Sequence, residues 1–181
     1  VYQFFNLDVK PAIEARKKTR KEDVISHTLK EGYKPLEILT ECVTYAAAGM
    51  VTTREFICSA AWHILEHAEL KEQYLNADEK TRYKILHELL RLEPVVERLH
   101  RRALRDLDVP TDNSSIKIPA GSDIVLHVEV SNTDESVVGE APLRACPVRE
   151  MPRGIPDAVM SFGDGHHRCP GAYVAIQETD I

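Results

Sequence analysis

The ten residues from Phe162 to Gly171, Phe-Gly-Asp-Gly-His-His-Arg-Cys-Pro-Gly, constrain this chain more than any other stretch. They set one cysteine, Cys169, between a glycine-bearing loop and the start of a helix. Gly163 and Gly165 accept backbone angles that other residues resist, and they let a flat ligand approach the main chain. A cysteine at a helix start meets free N–H groups and the positive end of the helix dipole, a setting that suits an anionic sulfur. Pro170 is tolerated there, because N–H groups of a first turn have no partner within the helix. The competing reading is a structural glycine loop around a buried, inert thiol.

The remaining sequence must build a fold around that loop. With 181 residues, 43% hydrophobic and 29% charged, it has the balance of a globular domain with its own core. A formal net charge of -6 argues against a nucleic-acid partner. No apolar run is long enough to cross a bilayer, so no membrane partner is expected. Cys42, Cys58, Cys146 and Cys169 show no short paired spacing, which disfavours a zinc ribbon or a disulfide framework and suits a reducing cytosol. The chain opens on Val1 without a Met and stops within a helical pattern, so a piece truncated at both ends is expected.

Hydrophobic spacing predicts mainly helix. Residues 9–29 read as charged helix, with the run Arg16-Lys17-Lys18-Thr19-Arg20-Lys21 as a solvated face. From Pro35 a long helix is expected, with Leu36, Leu39, Val43, Ala47, Met50, Ile57, Ala61 and Ile64 recurring at helical intervals. Its middle, Ala46 to Thr53, is unusually small and β-branched, and Gly49 with the paired Thr52 and Thr53 weakens the helix there. Trp62 reads as a core residue. A second helix is predicted from about Asp78 to Leu92, stopping before Pro94. Ile116 and Ile118, the turn Pro119-Ala120-Gly121, and the alternation Ile124, Leu126, Val128, Val130 predict a hairpin. Residues 131–161 are irregular, and a last helix begins near Gly171.

The loop resembles the haem-ligand signature of the cytochromes P450. Phe162, Gly163, Gly165, His167, Cys169 and Gly171 fill all six fixed positions. The resemblance implies haem b (iron protoporphyrin IX) as cofactor and Cys169 as axial iron ligand, its thiolate favouring O–O cleavage. Phe162 shields the sulfur, and His167 reaches a haem propionate.

Other stretches agree in order. Glu88 and Arg91 lie three apart on one face of the second helix, among apolar neighbours. A buried pair of this kind needs a third partner. In the family that partner is a second Arg before the haem loop. Arg144 and Arg149 are both candidates, and the distance to Cys169 favours Arg149. The segment Arg101-Arg102-Ala103-Leu104-Arg105-Asp106 resembles the family stretch in which one Arg, here Arg101, pairs with a propionate. Val95 and Val96 then lie beside the substrate. Ala48-Gly49-Met50-Val51-Thr52-Thr53 resembles the oxygen-binding helix, where Ala48 and Gly49 leave room for dioxygen and Thr52 hydrogen-bonds it, opening the helix locally. The sequence departs from the family at Val51, where an acidic residue is usual; Val cannot relay a proton.

The resemblance implies the mainly α cytochrome P450 fold with a small β-sheet, incomplete, with residues 1–181 as the carboxy-terminal part of a single domain. It implies a haem-thiolate monooxygenase of the soluble bacterial type, cytoplasmic, acting on a small organic substrate. Electrons come from a ferredoxin and ferredoxin reductase, docking on the Cys169 side near Arg168. The fragment alone is expected to be inactive, and the rival reading is a non-catalytic or peroxide-dependent haem-binding fragment. His63-Ile64-Leu65-Glu66-His67 also matches an inverted zinc-hydrolase motif, but without a spaced third ligand.

Overall fold

The structure is a computed structural model that describes residues 1–111 and 113–180. Its contacts divide the chain into two compact units, Val1–Val51 and Thr52–Ile181.

The first unit is helical. It holds α1 (Tyr2–Phe4), a π-helical turn (Phe5–Val9), α2 (Lys10–Lys18), α3 (Val24–Lys30) and the first part of the long helix α4 (Pro35–Glu66). Val9, Ile13, Ile38 and Leu39 form its core, with Phe5, Ile25, Leu29 and Cys42 packed around them. Burial pushes the Cys42 thiol up from its ordinary range. The single helix expected over residues 9–29 is broken. Thr19 takes an extended conformation, and Asp23 starts a new helix by accepting the Ser26 N–H at 2.8 Å. Arg16 of α2 reaches back to the Asp23 carboxylate, so the basic run contributes to the turn.

The second unit carries the rest of α4, then α5 (Ala68–Asn76), α6 (Glu79–Leu92), β1 (Arg98–Arg102), β2 (Leu107–Pro110), β3 (Ser115–Ile118) and β4 (Asp123–His127). After these come α7 (Val128–Asn132), α8 (Glu135–Val138), a 3-10 turn (Gly165–His167) and α9 (Ala172–Thr179). Its core gathers Phe56, Ala60, Tyr74, Ile85, Leu86, Leu89, Leu90, Ala158 and Ile176. Ile85, Leu86, Leu89 and Leu90 make one continuous stripe of α6, the spacing a core-facing helix needs. Asp78 caps α6 by accepting the Thr81 N–H at 2.9 Å, and Pro94 lies just beyond its end.

Three expectations are corrected. Strands β3 and β4 do not pair with each other across Pro119–Gly121. Instead β1 pairs antiparallel with β4 and β2 with β3, as two separate two-stranded sheets. Alternation marks strands without naming their partners. Val128 and Val130 belong to α7, where Val128 is buried and Val130 exposed. On α4 the buried apolar positions are Ile38, Leu39, Phe56 and Ala60, while Leu36, Met50 and Trp62 are largely exposed. Trp62, two residues from Ala60, falls on the opposite side of the helix. Finally, α4 is helical throughout Ala48–Thr53, with no local opening; Thr53 and Phe56 are buried on the following turns.

Candidate cofactor site

The loop before α9 closes on itself through the main chain. The Cys169 N–H donates to the Phe162 carbonyl at 2.8 Å, and the Gly163 N–H donates to the Met160 carbonyl at 2.8 Å. Gly163 and Gly165 adopt left-handed angles, φ 66° and 64°, which side-chain-bearing residues resist. Space is not the reason for glycine there. A Cβ at Gly165 would meet nothing within 4 Å, and one at Gly163 only the His167 carbonyl oxygen at 3.6 Å. Gly171 is the N-cap of α9, and a Cβ on it would stand 3.9 Å from the Cys169 sulfur. Pro170 therefore precedes the cap and does not occupy the first turn. Cys169 is a free, exposed thiol, unlike the buried, inert cysteine of the competing reading.

Beside the loop lies a cleft of about 630 Å³. Tyr83 and His87 of α6, residues 156–159, Phe162, Arg168, Cys169 and Tyr173 are among its walls. Phe162 is partly buried against the core cluster of the second unit, so the aromatic that opens the loop is anchored in packed interior.

Glu88, Arg91 and Arg149 meet in one buried network. Arg91 is fully buried and pairs bidentately with Glu88, Nε to Oε2 at 2.7 Å and Nη2 to Oε1 at 2.8 Å. Its Nη1 donates to the carbonyls of Asn132 and Pro142 at 2.9 and 2.8 Å. Arg149 donates from Nε to Glu88 Oε1 at 3.1 Å, and its terminal nitrogens donate to four carbonyls between Val138 and Arg144. Glu88 also accepts the Cys146 N–H at 2.9 Å. A buried ion pair is tolerated when its remaining hydrogen-bonding capacity is filled, as here. Of the two candidate arginines, Arg149 is the one bonded to Glu88; Arg144 contributes a carbonyl.

The other sequence-predicted residues are more dispersed. Arg101 is exposed on β1 opposite Ile124, its Nη1 donating to the His100 carbonyl at 2.9 Å. Val95 packs against the core cluster, whereas Val96 is 40% exposed. His167 is exposed in the 3-10 turn. Ala48 and Gly49 lie on the exposed side of α4 within the first unit, and Thr52 is exposed at the start of the second. His63 and His67 stack with ring centroids 6.0 Å apart, but His63 Nε2 is 2.8 Å from the Glu93 carboxylate. That contact holds the Glu93 carboxyl below its ordinary range.

Sequence reasoning missed two clusters. Asn132 and Ser161 bridge α6 to the start of the cysteine loop, and Asp180 is clasped by Arg82 and Tyr74. A single Asn or Asp near a chain turn is commonplace, so no local signal separates these from ordinary turn residues.

The residues present fit a haem. A free sulfur stands at a helix start on a loop that only glycines close, with exposed His167 and Arg168 as cationic or hydrogen-bonding neighbours. That donor set matches a flat macrocycle with one axial thiolate and carboxylate substituents.

Comparison with known proteins agrees. The family model for Cytochrome P450 matches residues 83–181, more than half of the chain. A Biotin biosynthesis cytochrome P450 of Bacillus subtilis (strain 168) is 29% identical over 178 residues, covering 95% of this chain and 42% of its own length. The crystal structure of P450BioI in complex with an acyl carrier protein carrying hexadec-9Z-enoic acid superposes with a TM-score of 0.78 at 27% identity. It covers 99% of this chain and 44% of that one. CYP109E1 from Bacillus megaterium, in complex with corticosterone, gives 0.81 at 24% identity, a likeness of fold alone, over 97% of this chain and 46% of that one. The chain thus spans less than half the length of the relatives it matches. With the loop, the Glu88–Arg91–Arg149 network and the helical fold all in agreement, the chain belongs to the cytochrome P450 family.

Proposed function

We propose that this chain forms the thiolate side of a haem monooxygenase, in which Cys169 would hold the haem iron through its sulfur. The single observation that carries the reading is the free, exposed Cys169 on a loop closed by its own N–H to the Phe162 carbonyl at 2.8 Å. When bound, haem b supplies reductive activation of dioxygen and transfer of one oxygen atom to a small organic substrate.

The protein's part is to hold and shield. Phe162, anchored in the core, lines the same cleft as Cys169 and would shield the sulfur once a haem covers it. Gly163 and Gly165 keep the loop backbone close to the macrocycle face. His167 and Arg101 bind the propionates as charge-assisted donors. Glu88, Arg91 and Arg149 hold the segment leading into the loop. On the oxygen side, Ala48 and Gly49 leave space, Thr52 holds a hydrogen bond, and Val95 and Val96 contribute apolar substrate contacts. Electrons come from a ferredoxin and its reductase, in the cytoplasm.

Val51 favours a second reading. It is 55% exposed where the resemblance expects a carboxylate, and an alkyl side chain relays no proton. A peroxide-driven reaction bypasses the need for that relay. The haem-loaded protein should turn over substrates better with hydrogen peroxide than with a ferredoxin and reductase, and Val51→Asp should reverse the order.

The main test is the absorption spectrum of the reduced, haem-loaded protein under carbon monoxide. A strongly red-shifted Soret band is expected, and Cys169→Ala should abolish it. Failure of the protein to take up haem, or a band indifferent to Cys169→Ala, sinks the reading.

A further inference from the structure

We infer that Asn132 is the positioning residue whose side chain couples α6 to the Cys169 loop, a link that the side chains of the Glu88–Arg91–Arg149 ion network do not make. The coupling itself is read from hydrogen bonds; its consequence for iron ligation rests on the function proposed above.

Asn132 is fully buried at the end of α7. Its Nδ2 donates to the Arg91 carbonyl at 3.0 Å and to Ser161 Oγ at 2.8 Å, and its Oδ1 accepts the Met160 N–H at 2.8 Å. Ser161 Oγ in turn donates to the Leu90 carbonyl at 2.8 Å. Both N–H groups and the oxygen of the amide are bonded, and its orientation is forced. Reversed, it would set oxygen against the Arg91 carbonyl and N–H against the Met160 N–H.

From Met160 and Ser161 the path to the sulfur is short. The Met160 carbonyl accepts the Gly163 N–H, and the Phe162 carbonyl accepts the Cys169 N–H, both at 2.8 Å. One side chain therefore ties the last carbonyls of α6 to the two residues from which the loop springs. The ion network does something else. Among the described residues, the hydrogen bonds of the Glu88, Arg91 and Arg149 side chains end on Asn132, Pro142, Cys146 and segment 138–144. None reaches residues 150–171 directly. Asn132 touches both systems, its carbonyl accepting Arg91 Nη1 and its side chain holding Met160 and Ser161.

A buried polar group stripped of its partner is expensive, and a neutral network is cooperative. Removing the Asn132 amide should free the Met160 N–H, leave Ser161 held through Leu90 alone, and loosen the ring from Phe162 to Cys169. The Cys146 N–H, bonded to Glu88, should stay protected.

The test is residue-resolved amide hydrogen exchange on the haem-free protein, together with the carbon monoxide spectrum of the haem-loaded protein. The variants are Asn132→Ala, Asn132→Asp and Ser161→Ala, with Ile38→Val in the other core as a control for general destabilisation. Asn132→Ala should speed exchange at Cys169 and Gly163 by about fivefold, the factor that one net hydrogen bond is worth, with Cys146 unchanged. Asn132→Asp keeps an acceptor for Met160 and should retain its protection. In the loaded protein, Asn132→Ala should shift part of the red-shifted Soret band toward the shorter wavelength of a non-thiolate complex, and Ile38→Val should not. Unchanged exchange at Cys169, or Cys146 and Cys169 losing protection together, overturns the inference. Should Asn132→Ala not fold, Ser161→Ala decides on the same readouts. A parent protein without the thiolate band defeats the proposed function, while the exchange result still judges the coupling.

Discussion

Arg91 brings a positive charge into the core and meets a carboxylate in bidentate geometry, with two carbonyls accepting from its Nη1. Such a group contributes by being matched, and deleting one partner leaves the other buried and unpaired. Arg91→Ala should therefore destabilise the protein by about 3–5 kcal/mol, read from urea denaturation. Arg149→Lys keeps the charge but has fewer donors than the five contacts Arg149 makes. It should lose about 1–3 kcal/mol; no change would mean that the planar fork is dispensable. The loop glycines obey different physics. Gly163→Ala and Gly165→Ala each force a side chain onto a left-handed angle, at about 1–2 kcal/mol apiece. Without haem the two should be similar, because neither Cβ meets a hard obstacle. Much of this scale was legible in sequence. Cys169, Glu88 and Arg91, and Arg149 in preference to Arg144, could be singled out through the resemblance of their motifs to the family pattern. Asn132 could not, because its role is written in partners 29 and 41 positions away.

Among the elements, α4 and α9 show how one sequence serves two demands. Gly49 sits mid-helix, and a Cβ added there would meet nothing within 4 Å. Gly49→Ala should raise thermal stability by about 1 kcal/mol, the difference in helix propensity. A simultaneous fall in turnover of the haem-loaded protein would support the proposed role of Gly49 in leaving room for dioxygen, as against a role in folding. At α9, Asp180 follows the last turn and accepts Arg82 Nε at 2.7 Å, Arg82 Nη2 at 2.9 Å and the Tyr74 hydroxyl at 2.6 Å. The Arg82 hydrogen bonds, outweighing burial and assisted by Tyr74, hold the Asp180 carboxyl below its ordinary 3.8. Burial first, then Asp180, pushes the Tyr74 phenol above its ordinary 10.0. A depressed folded-state value means that this clasp stabilises fully above 3.8 and fades as pH falls through the folded value. Asp180→Asn should flatten the acid limb of the stability curve between about pH 5 and pH 2, followed by circular dichroism. An equally steep limb in the variant would assign acid unfolding to other carboxylates. Helix α6 was legible from its apolar stripe and its stop before Pro94. The hairpin was not, because periodicity reports which residues alternate and is silent on which strand lies alongside.

For the molecule as a whole, the two cores account for only part of the apolar side chains. In the second unit Trp62, Leu65, Leu104, Leu143, Val148 and Tyr173 are all at least 65% exposed. Exposed apolar surface on this scale invites association. The 181-residue chain should bind a hydrophobic dye and sediment as concentration-dependent oligomers; a monomer that ignores the dye would show that these residues form no contiguous face. Sequence alone determined that a thiol stands at a helix start behind two obligatory glycines, because a ten-residue pattern is local and each position answers to its neighbours. It also determined the helical character of α4 and α6, through periodicity that a helix imposes on itself, and the start of a last helix near Gly171. Tertiary structure decided the pairing of β1 with β4, the exposure of Trp62, and the choice of Asn132 as the tie between α6 and the cysteine loop. Those depend on which distant groups come to share a buried space, and burial is a property of the packed chain that no single segment carries.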